Sequence, residues 1–181
     1  MYMSQVRKVR LRAMEPEDLE SLYEMENQSE QWDQGVTNVP YSRYALYNYV
    51  SECKNDIYAD RQLRLMVVSE DDTCVGIVDL VEFDPKHLRA ELGLVIKKEY
   101  RNQGYGKAAV VEMLRYSRDI IHLHQVYVII SDDNVQSRKL FHGLGFTGAL
   151  VLKDWLYTKG SWRDAVLLQF FNKKESDCLE V

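Results

Sequence analysis

The sequence predicts an α/β domain built on a mixed sheet, and three observations carry the prediction. An apolar stretch at residues 90–96 runs through a glycine-containing loop at 101–107 into a long amphipathic segment, in the order strand, loop, helix. Two apolar runs, 63–69 and 74–82, enclose the polar turn Glu70, Asp71, Asp72 and Thr73 and read as a hairpin. A buried-type strand at 126–130 and a closing pair at 147–157 and 162–171, joined through Lys159 and Gly160, complete the strands.

Taken in order, residues 6–12 alternate around Val9 and Leu11 as an edge strand does. Glu15 and Pro16 open a helix to about residue 27, with Pro at the first helical position, Glu17 and Asp18 at the positive end of the dipole, and Leu19, Leu22 and Tyr23 on one face. Residues 27–40 have no period and read as a loop. Ser42 is the expected N-cap of a second helix to about residue 56, whose apolar stripe is Leu46, Tyr49, Val50, Cys53 and Ile57. Tyr44 points away from that stripe and Tyr47 lies at its flank, where they are half-exposed side chains or line a cleft or a dimer contact. After the hairpin, Asp84 and Pro85 turn the chain into the strand at 90–96. Val110, Leu114, Ser117 and Ile121 give the long helix its buried face.

With 181 residues the chain is expected to be one domain, with a core over about 7–171 and a polar tail at 172–181 that frays. Cys53, Cys74 and Cys178 form no CxxC pair, so neither a disulfide framework nor a zinc site is indicated, and no metal is predicted. No run of eighteen apolar residues exists and the first residues hold no secretory h-region, which excludes a membrane span and suggests a reducing cytoplasm. A net charge of −5 argues against a nucleic-acid partner and allows a cationic substrate.

The chemistry concentrates in the loop. Arg101, Asn102, Gln103, Gly104, Tyr105, Gly106 and Lys107 lead into a helix N-terminus, where backbone N–H groups lack intrahelical acceptors and the dipole is positive. Glycines there let phosphate oxygens approach the backbone, so the loop suits a phosphate-bearing ligand. It is not a Walker loop, because one residue separates the glycines and Ala108 follows Lys107. It is not a dinucleotide fingerprint either, because Ala109 stands where the third glycine belongs.

The remaining pattern, Arg-x-x-Gly-x-Gly after a strand, resembles the acetyl-CoA-binding motif of the GNAT acyltransferases. About thirty residues on, Asn134 and the segment from Ser137 to Phe146, ending Leu144, Gly145, Phe146, resemble the second motif of that family. The likeness spans about residues 7–171 and is nearest the branch of spermidine/spermine and ribosomal-protein N-terminal acetyltransferases. It implies a seven-stranded sheet splayed at its middle, flanked by about four helices, and acetyl-CoA as co-substrate. It further implies that the backbone of Leu94, Val95 and Ile96 pairs with the pantetheine arm, that residues 101–107 hold the pyrophosphate, and that Asn134 fixes the pantetheine.

Transfer of an acetyl group to an amine needs a neutral nucleophile, yet alkylammonium groups have a pKa of ~10.4. Glu91, in the apolar strand, and Glu82, at the end of the one before it, are the candidate acids for binding or deprotonating the amine. The bland alternative for Glu91 is a salt bridge to Arg89 or Arg64. In the family motif a Tyr protonates the departing thiolate, and here that position, beside the cofactor, is Phe141. Tyr105, Tyr127 and Tyr157 are unranked substitutes, and His142 lies ~100° around the helix from Phe141. Glu24, Glu26, Glu30 and Asp33 beside Trp32 suit a polyamine or basic N-terminus, or form a solvated face. The resulting expectation is direct acetylation of a primary amine, such as spermidine. The alternatives are a protein N-terminal acetyltransferase or a catalytically weak CoA-binding protein. A homodimer or larger homo-oligomer fits the family.

Overall fold

A computed structural model describes residues 7–28, 39–158 and 160–172. Seven strands form one sheet: β1 (Val9–Arg12), β2 (Leu63–Ser69), β3 (Cys74–Asp84), β4 (Arg89–Ile96), β5 (Gln125–Ser131), β6 (Thr147–Thr158) and β7 (Ser161–Phe171). Their spatial order is β1-β2-β3-β4-β5-β7-β6, with β4 and β5 parallel and every other neighbouring pair antiparallel. Among the described residues five helices accompany them: α1 (Leu19–Glu26), α2 (Arg43–Glu52), α3 (Ile57–Asp60), α4 (Tyr105–Asp119) and α5 (Val135–Gly143).

Strand alternation sorts the side chains into two layers. On one face Leu65, Val78, Leu80, Ala90, Leu92, Val126, Val128 and Leu168 pack against Ala109, Val110, Met113 and Leu114 of α4. On the other, Met66, Val68 and Ile77 meet Leu22 and Met25 of α1 and Leu46 of α2. The second layer covers β2 and β3 and leaves the β4, β5 and β7 half of that face more open.

The expected second helix is interrupted. α2 stops at Glu52, Cys53 turns extended at ψ 121, and Asn55 takes a φ of 53. Asp56 then caps the separate turn α3 by accepting from the Tyr58 amide at 2.9 Å, while Asp60 accepts from the Lys54 amide at 3.0 Å. Short Asp and Asn side chains compete with the helix for backbone groups, which the apolar stripe alone does not reveal. The first helix begins as a 3₁₀ turn at Pro16–Asp18, where Asp18 accepts from the Glu15 amide and pairs with Arg12 through both carboxylate oxygens. Ser42 caps α2 as expected, accepting from Ala45 N at 3.1 Å. Lys159 and residues 173–181 of the expected tail lie outside the described residues, while Asn172, expected to begin that tail, is buried, its side chain donating to Ser117 Oγ at 3.2 Å and Leu123 O at 3.0 Å.

Candidate active site

The site is a fork. β4 and β5 pair over three rungs only, Arg89 with Gln125, Ala90 with Val126 and Glu91 with Tyr127. Past that last rung the two strands part, while β4 stays paired with β3 as far as Ile96 and β5 with β7 as far as Ser131. From Leu92 to Ile96 the β5-facing edge of β4 therefore has no partner strand among the described residues. The fork opens at the carboxyl ends of parallel strands, where α/β sheets place their ligands. Leu94, Val95 and Ile96 all lie on this open edge; Leu94 and Ile96 anchor it in the α4 core and Val95 in the α1–α2 layer.

The glycine loop closes the open end of the fork. Arg101 Nε donates to Ile96 O at 2.9 Å, tying the loop to the end of β4. Asn102, at φ 60, accepts from Gln136 Nε2 of α5. Gln103 Nε2 donates to Glu99 O at 2.6 Å. Gly104 precedes α4 at φ 91, in the left-handed region that favours glycine. The Ala108 amide is the first to bond back, to Gly104 O at 3.1 Å, so the amides of Tyr105, Gly106 and Lys107 have no intrahelical acceptor. A Cβ at Gly106 would meet Leu94 at 3.4 Å and Leu140 of α5 at 3.7 Å, so the helix start touches both walls of the fork. Lys107 is exposed. The Tyr105 ring is buried edge-on to Tyr100 at 5.7 Å, with the Arg7 guanidinium 5.1 Å from its centre.

The second wall carries Asn134 and Phe141. Asn134 caps α5, its side-chain oxygen accepting from Ser137 N at 3.0 Å. Phe141 is 5% exposed and packs edge-on against Phe146 at 5.0 Å. Leu144, Gly145 and Phe146 end the helix as a Schellman motif: Gly145, at φ 91, donates to His142 O and Phe146 donates to Phe141 O, each at 3.1 Å. The Leu-Gly-Phe signature is thus a helix stop followed by a ring anchored in the core.

Glu91 sits at the vertex, half-buried. Neither arginine of the alternative reading pairs with it. Arg64 holds Asp79 through two bonds of 2.9 and 2.8 Å and Glu26 at 2.5 Å, and Arg89 reaches Asp84 at 3.2 Å. Glu91 has no hydrogen bond or ion pair to any described residue. Burial, and then the charge of Glu82, push its pKa up to about 7. Glu82 is exposed at a β-bulge, at φ 50, where Glu82 and Phe83 together oppose Ala90.

On the far side of the vertex from the glycine loop is an open groove of about 610 Å³, lined by Asp60, Arg61, Gln62, Glu82, Asp84, Arg89 and Tyr127 among others. Much of it escaped the sequence reading because α3 did. The left-handed turn at Arg61, φ 57, brings Asp60 and Gln62 to this wall, and only the Asn55–Asp56 pair hinted at such a break. The acidic run divides: Glu26 is held by Arg64 rather than forming a solvated face, Glu24 lies 3.8 Å from Lys97, and Glu30, Trp32 and Asp33 are outside the described residues. Among the described residues no helix is long and apolar enough to cross a membrane, and no three His, Cys, Asp or Glu side chains are grouped as metal ligands.

A family model described as "Acetyltransferase (GNAT) domain" matches residues 8–147. The spermidine N(1)-acetyltransferase of Escherichia coli K12 is 26% identical over 164 residues, covering 90% of this chain and 86% of that protein. A putative ribosomal N-acetyltransferase of Bacillus subtilis is 24% identical, covering 92% of each. Among solved structures, spermidine N-acetyltransferase from Vibrio cholerae in complex with CoA and spermine superposes with a TM-score of 0.80 at 23% identity, covering 91% of this chain and 95% of that one. A dodecameric form of that enzyme gives a TM-score of 0.77 at 22% identity, covering 95% and 96%.

Proposed function

The chain belongs to the GNAT family of acetyl-CoA-dependent N-acetyltransferases, and we propose that it acetylates a polyamine such as spermidine by direct attack of the amine on the thioester. The observation that carries this reading is Glu91, a half-buried carboxylate without a counter-ion at the vertex of the fork, between Val81 and Tyr127, both of which line the groove. A carboxyl pushed up to about 7 is poised to take a proton near neutrality, as a general base requires.

In this reading acetyl-CoA enters the fork from the glycine loop. The amides of residues 105–107 and the side chains of Arg101 and Lys107 meet its pyrophosphate, and the arm lies along Leu94, Val95 and Ile96. Asn134 stays with its helix cap and borders the arm, and Phe141 supplies apolar backing. The acceptor comes through the groove, where Glu82 attracts the ammonium and Glu91 takes the proton that the amine must lose. The similarity to a putative ribosomal N-acetyltransferase over 92% of both chains supports a second reading, in which the groove receives a protein N-terminus.

Thiol release from acetyl-CoA, with spermidine, spermine and a peptide beginning with Ser or Ala as separate acceptors, tests both. Acetylated spermidine, lost in Glu91→Gln by ~10²–10⁴-fold, supports the first reading. Acetylation of the peptide alone overturns it in favour of the second.

We propose a cytoplasmic homo-oligomer as the working form. Leu150, Trp155 and Tyr157 of β6 and Trp162 of β7 are each more than half exposed on the edge hairpin, and one structural relative is dodecameric. A solution mass of one chain overturns that assembly.

A further inference from the structure

We propose that Tyr127 donates the proton that the departing CoA thiolate needs, the role that Phe141 cannot fill. This rests on acetyl-CoA lying in the fork as described above.

Tyr127 is the partner of Glu91 in the last rung before β4 and β5 separate. Val126, Val128 and Ile130 turn into the α4 core, as do Ala90 and Leu92, so Tyr127 and Glu91 stand side by side on the opposite face. Tyr127 also lines the groove, and its hydroxyl is bonded to no described residue. The length of the fork decides where the sulfur falls. From Leu92 to Ile96 the open edge of β4 measures ~13 Å, four steps at ~3.3 Å per residue. The pantetheine arm has about twelve bonds between its phosphate oxygen and its sulfur, the reach of about four extended residues, ~14 Å. With the pyrophosphate at residues 101–107, the thioester arrives at the vertex, between Glu91 and Tyr127.

The other hydroxyl and imidazole candidates are placed elsewhere. The Tyr105 ring is buried between Tyr100 and Arg7, Tyr157 is 63% exposed against Trp162 on the edge hairpin, and His142 Nδ1 lies 3.2 Å from Phe146 O. Burial, and then the negative charges of Glu91 and Glu82, raise the Tyr127 pKa, which keeps the phenol protonated and able to donate.

The step balances within the pair. The amine nitrogen bonds to the carbonyl carbon and the carbon–sulfur bond breaks with its electron pair on sulfur. The nitrogen's proton passes to Glu91 and the phenol's proton to sulfur. The protonated Glu91 then returns its proton to the Tyr127 phenolate across the rung, restoring both groups; the separate proton that the incoming ammonium loses to become a neutral amine is released to solvent before attack.

The test is Tyr127→Phe in the full chain, read in two ways. Ultraviolet absorbance of the thiolate follows ionisation of the CoA thiol bound to the protein, with no turnover involved. A hydroxyl donating to sulfur stabilises the thiolate, so bound CoA ionises at higher pH in Tyr127→Phe than in the parent. The kcat for spermidine acetylation falls by ~10²–10⁴-fold while KM for acetyl-CoA holds. An unchanged thiol titration overturns the assignment, whether or not kcat falls, because a fall alone marks only a disturbed site. If the parent binds CoA but acetylates no amine, the acceptor reading fails and the thiol titration still decides the place of Tyr127.

Discussion

Replacing Glu91 with Gln raises stability at pH 8 and leaves it unchanged at pH 4. In the folded chain the Glu91 pKa is pushed up to about 7 against a reference of 4.5, so the folded state holds its proton across a window in which the unfolded state has released it. Stability from this group is complete below about pH 4.5 and is lost as pH rises toward about 7, because over that window the unfolded chain binds fewer protons than the folded one. At ~1.36 kcal/mol per pH unit the ceiling is ~3.4 kcal/mol. Glu91 still touches water, and solvent screening reduces this to ~1–2 kcal/mol. At ~2–4 °C per kcal/mol for a chain of this size, Glu91→Gln unfolds ~2–8 °C above the parent at pH 8, and the two coincide at pH 4. Thermal unfolding of both proteins at half-unit pH steps measures the gap. A gap that stays constant with pH refutes the reasoning, because it would mean that Glu91 is not ionising in a desolvated place.

Three other perturbations have defined outcomes. Gly104→Val forces a β-branched residue to φ 91 at the N-cap of α4, so KM for acetyl-CoA, measured by thiol release, rises at least tenfold, consistent with a strain cost of ~1–3 kcal/mol. Gly76→Ala sets a Cβ 2.3 Å from Val95 O and 2.8 Å from Ile96 Cδ1, so β3 and β4 must separate at the glycine-loop end of the open edge; urea unfolding loses ~1–3 kcal/mol. Arg64→Ala strands Asp79, whose side chain is only 15% exposed, and removes the 2.5 Å bond to Glu26, costing ~3 kcal/mol by the same measurement, whereas pairs at the open surface such as Arg10–Asp72 cost under ~1 kcal/mol.

What the sequence made legible follows from how local each determinant is. The glycine loop, the Ser42 cap and the helix-stopping Leu144, Gly145 and Phe146 act within a few residues of themselves, and the structure places each one where its local chemistry demands. The α2–α3 break was equally local but written in Asn55, Asp56 and Asp60, side chains that disguise a helix end beneath an apolar stripe continuing through Cys53 to Ile57. The environment of Glu91 was not legible, because it depends on which carboxylates the strand register and the packing of α1 bring to each arginine. Arg64 stands opposite Asp79 through the β2–β3 register and reaches Glu26 from α1; Arg89 lies across the Glu82 bulge from Asp84. With two arginines already neutralised by three carboxylates, the fourth carboxylate is left unpaired at the vertex.

That unpaired position separates the charges that hold the fold from the charge proposed to do chemistry. Arg64 draws its own pKa upward through Asp79 and Glu26 despite the opposing effect of burial, and an arginine so fixed would hold Glu91 ionised and weakly basic if it faced that residue instead. The bulge at Glu82 adds a second negative group without adding a cation, so desolvation and repulsion act on Glu91 in the same direction. The cost in stability above pH 7 and the basicity available to an incoming amine are one free energy measured in two ways. A variant that supplies Glu91 with a counter-ion, Val81→Arg from the facing position on β3, recovers the first and forfeits the second.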